Sequence, residues 1–123
     1  ARLVTISSPS SMPDLFAGVG KYFGLRKRAQ GAMEERIRLL AGRPLKDFVS
    51  AQQIKTFDGE VLVIHAPDDR EVDFAEALAM QEAGEHVKLV RAEGLGHRRI
   101  LNDPGVLRAI RAFADGQLLT AAA

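Results

Sequence analysis

The chain has no cysteine and no tryptophan, and only 6% of its residues are aromatic. Without thiols there can be no disulfide, no cysteine-ligated metal and no cysteine nucleophile, a composition that suits a reducing compartment. Long apolar runs are missing as well: none approaches the roughly 20 residues that span a bilayer, and no signal-peptide pattern opens the chain. A cytoplasmic location is the expectation. Nor is either charge sign in excess. Seventeen Lys and Arg against sixteen Asp and Glu leave a net charge of +1, which gives no ground for expecting nucleic acid or a membrane as partner. Basic residues gather once, at Lys21, Arg26, Lys27 and Arg28. That cluster reads as a helix end, where cations suit the C-terminal dipole; a solvated face is the plain reading and a partner or anion site the other. No glycine-rich phosphate loop is present, and three histidines scattered among acids show no metal-ligand spacing, so neither a metal nor another cofactor is expected.

What remains is a chain of 123 residues, 46% of them hydrophobic, enough to bury one modest core as a single domain over residues 1–123. Residues 2–7 (RLVTIS), 61–65 (VLVIH) and 87–92 (VKLVRA) are short, rich in Val, Ile and Leu, and more continuous than alternating. Such runs suit parallel strands covered on both faces. Between the last two, Asp73 can cap a helix, Glu76 completes an Asp-x-x-Glu variant of the capping box, and Gly84 follows the final turn. A last helix has Asp103 as N-cap and Pro104 at its first position, with Val106, Leu107, Ile110 and Phe113 on one face and Gly116 at its end. The tail QLLTAAA has no further partner in sequence and is expected to fray.

Residues 12–57 differ in character. Leu15, Phe16, Val19 and Phe23 recur at helical spacing after Pro13, and Met33, Ile37 and Leu40 do so before Gly42. Two amphipathic helices therefore fill an excursion far longer than a plain crossover, either as a lid over a pocket or as an elaborated connection. The order strand, excursion, strand, helix, strand, helix is an α/β plan with about three parallel strands. Parallel neighbours joined by crossovers bring their carboxyl ends to one rim, where open α/β sheets carry ligands. Asp69, just past the strand ending at His65, and His97, in the loop after residues 87–92, should emerge there together. Adjacent strands lie about 4.8 Å apart, within reach of a carboxylate-imidazole pair.

The two segments that carry these residues are His65-Ala66-Pro67-Asp68-Asp69-Arg70-Glu71-Val72-Asp73 and Gly94-Leu95-Gly96-His97. The chain resembles the C-terminal portion of the α/β-hydrolase superfamily, whose members place the triad acid in a segment of the form H-G-x-x-D-x-x-V-P and the histidine in a G-x-G-H turn after the last strand. Ala66 stands where the pattern has glycine, and Asp73 where it has proline. The resemblance covers nearly the whole chain, with residues 12–57 matching the lid. It implies a partial α/β-hydrolase fold, with Asp69 as the triad acid, Asp68 as its competitor, and His97 as general base and then acid. Gly94 and Gly96 would allow loop conformations closed to side chains with a Cβ. Against this stands the plain reading of His97 as a loop histidine hydrogen-bonded to a local carboxylate. His65 is expected to pack or cap at its strand end, His86 to lie at the surface, and Arg98 and Arg99 to take surface or ion-pair roles, with binding of an anionic substrate the alternative.

A nucleophile elbow reads G-x-S-x-G, ahead of the acid and the histidine. Ser7, Ser8, Ser10, Ser11 and Ser50 lack that context, and Pro9 blocks immediate helix continuation after Ser7 and Ser8. The expectation is a C-terminal portion of a serine-type esterase whose nucleophile half, Ser or Asp at the elbow, is absent from these residues. Its partners would be a small-molecule substrate, that missing N-terminal half, and a second copy forming a homodimer through the strand at residues 2–7. A non-catalytic, self-associating module is the alternative.

Overall fold

The structure is a computed structural model in which residues 1–117 are described. The tail beyond Gln117, where fraying is expected, lies outside them. The chain divides into two compact units, one made of Ala1–Ser10 with the chain from Ala51 onward, the other of Ser11–Ser50.

The first unit is built on a three-stranded parallel sheet in the order β1 (Arg2–Ile6), β2 (Glu60–His65), β3 (Val87–Arg91). Leu3 pairs with Val61 and Val61 with Val87, and the register runs unbroken from Arg2 opposite Glu60 to His65 opposite Arg91. The central strand is buried along its whole apolar length, which is why its sequence is a continuous Val-Leu-Val-Ile run. Successive side chains leave a strand on opposite faces, so these four residues divide between two cores. Leu62 and Ile64 pack with Ala92, Ile100, Val106 and Phe113 on one face. Val61 and Val63 pack with Ile54, Ala77, Met80 and Val87 on the other. Helix α5 (Pro104–Ala114) covers the first face, and α3 (Ser50–Lys55) with α4 (Phe74–Gln81) the second.

Helix punctuation follows the sequence except at Glu76, and Leu107 and His86 also lie differently from expectation. Asp73 caps α4 by accepting from the Ala75 N–H at 2.8 Å, and Asp103 caps α5 by accepting from the Val106 N–H at 3.0 Å. Glu76, however, does not reach back to close a capping box; its carboxylate accepts from the Ser10 N–H at 2.9 Å and from the Ser10 hydroxyl, tying the segment after β1 to α4. On α5 Val106, Ala109 and Phe113 are buried and Ile110 packs partly covered against the same core, while Leu107 is 52% exposed. His86 is half-buried rather than a surface residue, its Nε2 lying 2.8 Å from the Ile54 carbonyl at the end of α3.

In the second unit, α1 (Met12–Tyr22) and α2 (Lys27–Ala41) form a helical hairpin, followed by a short 3-10 turn at Leu45–Asp47 whose Leu45 is buried. Ser11 caps α1, and the Gln30 side chain donates to the Phe16 carbonyl at 3.0 Å, joining the two helices. Leu15, Phe16, Val19, Met33 and Ile37 are partly buried. Phe23 and Leu40, which the helical spacing assigns to the same faces, are 69% and 74% exposed. The basic cluster also departs from expectation: only Lys21 ends a helix, whereas Arg26, Lys27 and Arg28 begin α2, the end where the helix dipole disfavours cations.

Candidate active site

Asp69 and His97 are brought together by the two loops that leave the carboxyl ends of β2 and β3. The turn after β2 closes through the Asp69 N–H, which donates to the Ala66 carbonyl at 3.1 Å. Asp69 Oδ1 then accepts from the backbone N–H groups of Glu71 at 2.8 Å and Val72 at 2.9 Å. The loop's own backbone thus fixes the carboxylate, leaving Oδ2 to point across to β3. There His97 Nδ1 lies 2.9 Å away.

The loop after β3 is shaped by Gly94 and Gly96, with φ of 75° and 63°, a region that suits glycine because it has no Cβ. Asp68 accepts from the Gly96 N–H at 3.2 Å, so the two adjacent aspartates divide the work: Asp68 tethers the loop that carries the histidine, and Asp69 meets the ring. Arg99 adds a bond from its guanidinium to the Gly94 carbonyl at 2.7 Å. Arg91 is directed elsewhere, over the Phe74 ring.

The Asp69 side chain is fully covered, while that of His97 is 30% exposed. Burial raises the Asp69 carboxyl, but the Val72 N–H, the His97 ring and the Glu71 N–H outweigh it and hold the group below its ordinary 3.8. Asp69 is therefore ionised wherever the protein is folded at neutral pH.

His65 is completely buried beneath this pair. Its Nε2 lies 2.8 Å from the Val72 carbonyl and 3.4 Å from Asp69 Oδ2, and since a carbonyl only accepts, Nε2 carries a proton. Its Nδ1 has no partner. His65 therefore packs behind the acid and steadies the Val72 turn, with its ring edge-on to Phe74.

Sequence reasoning missed Glu71. Its carboxylate lies 3.2 Å from His97 Nε2, the nitrogen that points away from Asp69, and 3.3 Å from the Arg98 guanidinium. The imidazole is thus bracketed by two carboxylates, and both contacts are hydrogen bonds only when both ring nitrogens carry protons. No sequence signal marks it, because it sits in a bend of the loop after β2, where the backbone sets no side-chain periodicity. An open cavity of about 360 Å³ lies here, with Asp68, Arg70, Glu71, His97, Arg98 and Arg99 among its lining.

Ser7 is a second unforeseen feature. It follows β1 with φ of 52°, the sole non-glycine residue of positive φ among the described residues, and its buried hydroxyl has no partner. Such a conformation is uncommon for a side chain with a Cβ. Among the described residues no group of three or more His, Asp or Glu side chains is arranged to hold a metal ion. No described helix is long and apolar enough to cross a membrane. Comparison with protein-family models and with curated proteins finds no match to this chain.

In chemical terms the arrangement is a buried, ionised carboxylate that fixes the Nδ1 side of a partly exposed imidazole. Nε2 faces a cavity. A histidine so held can shuttle a proton between that cavity and a reacting group once Glu71 swings aside.

Proposed function

We propose that this chain supplies the acid and the histidine of a serine-type α/β-hydrolase acting on ester or related acyl bonds, its three strands and flanking helices forming part of that fold. Its nucleophile belongs to sequence outside these residues. The observation that carries the reading is the 2.9 Å contact between Asp69 Oδ2 and His97 Nδ1, made by consecutive strand-end loops of a parallel sheet. In that reading Asp69 orients the ring and stabilises its cation. Nε2 takes the proton from an attacking hydroxyl and returns it to the leaving group. Residues 12–57 are the lid of such an enzyme. Glu71 rests where the hydroxyl would bind, and displacing it costs little because its ion pair with Arg98 is exposed.

Hydrolysis of short acyl esters tests this, with the chain alone and with a complementary segment bearing a nucleophile elbow. Activity should appear only with the complement and disappear with His97→Ala. Turnover that survives His97→Ala counts against the proposal.

One observation favours a second reading, a self-associating module without activity. Among the described residues β1 pairs only with β2, leaving one backbone edge of Arg2–Ile6 unpaired, and such an edge is a template for another strand. On this reading light scattering shows a dimer forming with concentration. A monomer across a wide concentration range excludes it.

A further inference from the structure

The nine residues from Lys21 to Ala29, across the turn from α1 to α2, are all exposed. They present Tyr22 at 84%, Phe23 at 69% and Leu25 at 38% exposure, together with the cations Lys21, Arg26, Lys27 and Arg28. No acidic residue occurs between Asp14 and Glu34. A net charge of +1 for the whole chain therefore conceals a local excess of four.

The turn is a firm platform. The Phe23, Gly24 and Leu25 N–H groups donate to the carbonyls of Val19, Lys21 and Gly20 at 3.0, 3.1 and 2.7 Å, and Gly24 takes the positive φ of 65° that this closure needs. Tyr22 and Phe23 stack edge-on with centroids 5.1 Å apart, so the two rings form one apolar knob. Beside it Leu25, Ala29 and Ala32 floor an open cleft of about 570 Å³, with Arg26 and Arg28 among its lining.

Two features of this turn run against the stability of an isolated protein. Large apolar side chains stand in water, and three cations crowd the start of α2 without one acid in its first turn. Both are relieved by one kind of surface, an apolar layer beneath a sheet of negative charge. We propose that residues 21–28 dock on an anionic lipid bilayer, with Tyr22, Phe23 and Leu25 entering the headgroup region and Lys21, Arg26, Lys27 and Arg28 binding lipid phosphates and carboxylates. A second copy would bring four more cations to the contact, which repels. For nucleic acid the turn has cations, but the Tyr22 hydroxyl is its one uncharged hydrogen-bonding side chain, and the nearest side-chain amide, Gln30, is engaged with Phe16. The docking is peripheral and needs no spanning segment.

Sedimentation of the full chain with phosphatidylcholine vesicles, with and without about one third phosphatidylserine, tests this. Binding should require the anionic lipid and weaken with salt. Each cation is worth about fivefold in partition, so changing Lys21, Arg26, Lys27 and Arg28 together to Gln should lower binding by about a hundredfold or more. Tyr22→Ser with Phe23→Ser should weaken it independently, and all six side chains are exposed, so circular dichroism should be unchanged. Because the chain has no tryptophan, Phe23→Trp gives a single reporter whose emission should shift to the blue on anionic vesicles only. The proposal is overturned if the wild type ignores anionic vesicles, if the four-Gln variant binds as well as wild type, if the Trp emission stays put, or if polyglutamate or single-stranded DNA captures the chain in preference.

Discussion

Replacing Asp69 by Asn is nearly isosteric and strikes the centre of the site. The carboxylate accepts three hydrogen bonds, two on Oδ1 from Glu71 and Val72 and one on Oδ2 from His97. In Asn the carbonyl can keep the two backbone donors without the help of a negative charge, while the amide group turns its own N–H toward His97 Nδ1. Hydrogen bonds to charged groups contribute about 1.5–3 kcal/mol, and the side chain is covered, so the expected loss is about 2–3 kcal/mol in urea unfolding followed by circular dichroism. The pH dependence is the sharper part. A carboxyl held below its ordinary 3.8 in the folded state contributes stability that is fully present above that value and is lost as pH falls through the lower native one. Asn cannot titrate, so the gap between wild type and variant should be full above pH ~4 and close below it. A gap that stays constant from pH ~6 to pH ~2, or one under about 0.5 kcal/mol at pH ~6, would mean that these three bonds do not hold Asp69 as an ionised carboxylate.

Gly96→Ala, at φ of 63°, should cost about 1–2 kcal/mol and displace His97, read as altered ring signals of that histidine in NMR. Phe113→Ala empties a site only 2% exposed in the core beneath β2 and should cost about 3–5 kcal/mol in the same urea assay. Asp103→Ala removes the cap of α5 and should cost about 1 kcal/mol. Glu71→Ala breaks an exposed pair with Arg98 and should change stability by under about 1 kcal/mol while freeing His97 Nε2, seen as a shifted ring nitrogen.

What the sequence discloses and what it hides follow from how locally each feature is determined. The β2 run Val61 to Ile64 reads directly as a strand covered on both faces because each of its side chains meets one core or the other. Asp73 and Asp103 read as caps because a cap is a bond to a donor two or three residues away. Asp69 and His97 are 28 positions apart, yet parallel topology alone brings their loops to the same rim. Features that depend on a third partner do not read. Glu76 looks like half of a capping box until Ser10 claims its carboxylate from 66 positions away. Glu71 sits in a loop without periodicity, and its meeting with His97 Nε2 exists only in three dimensions. Helix α3 has one buried residue, Ile54, too few to show a period. Phe23 and Leu40 match the helical spacing but sit at the ends of their helices, where the covered face has run out.

The most direct measurement on the central pairing is the protonation pattern of the His97 ring by nitrogen-15 NMR near neutral pH. The pairing requires a proton on Nδ1, shifted downfield and slowed in exchange by its bond to Asp69, and its loss in Asp69→Asn. A bare Nδ1 in the wild type, or a ring signal unmoved by Asp69→Asn, contradicts it.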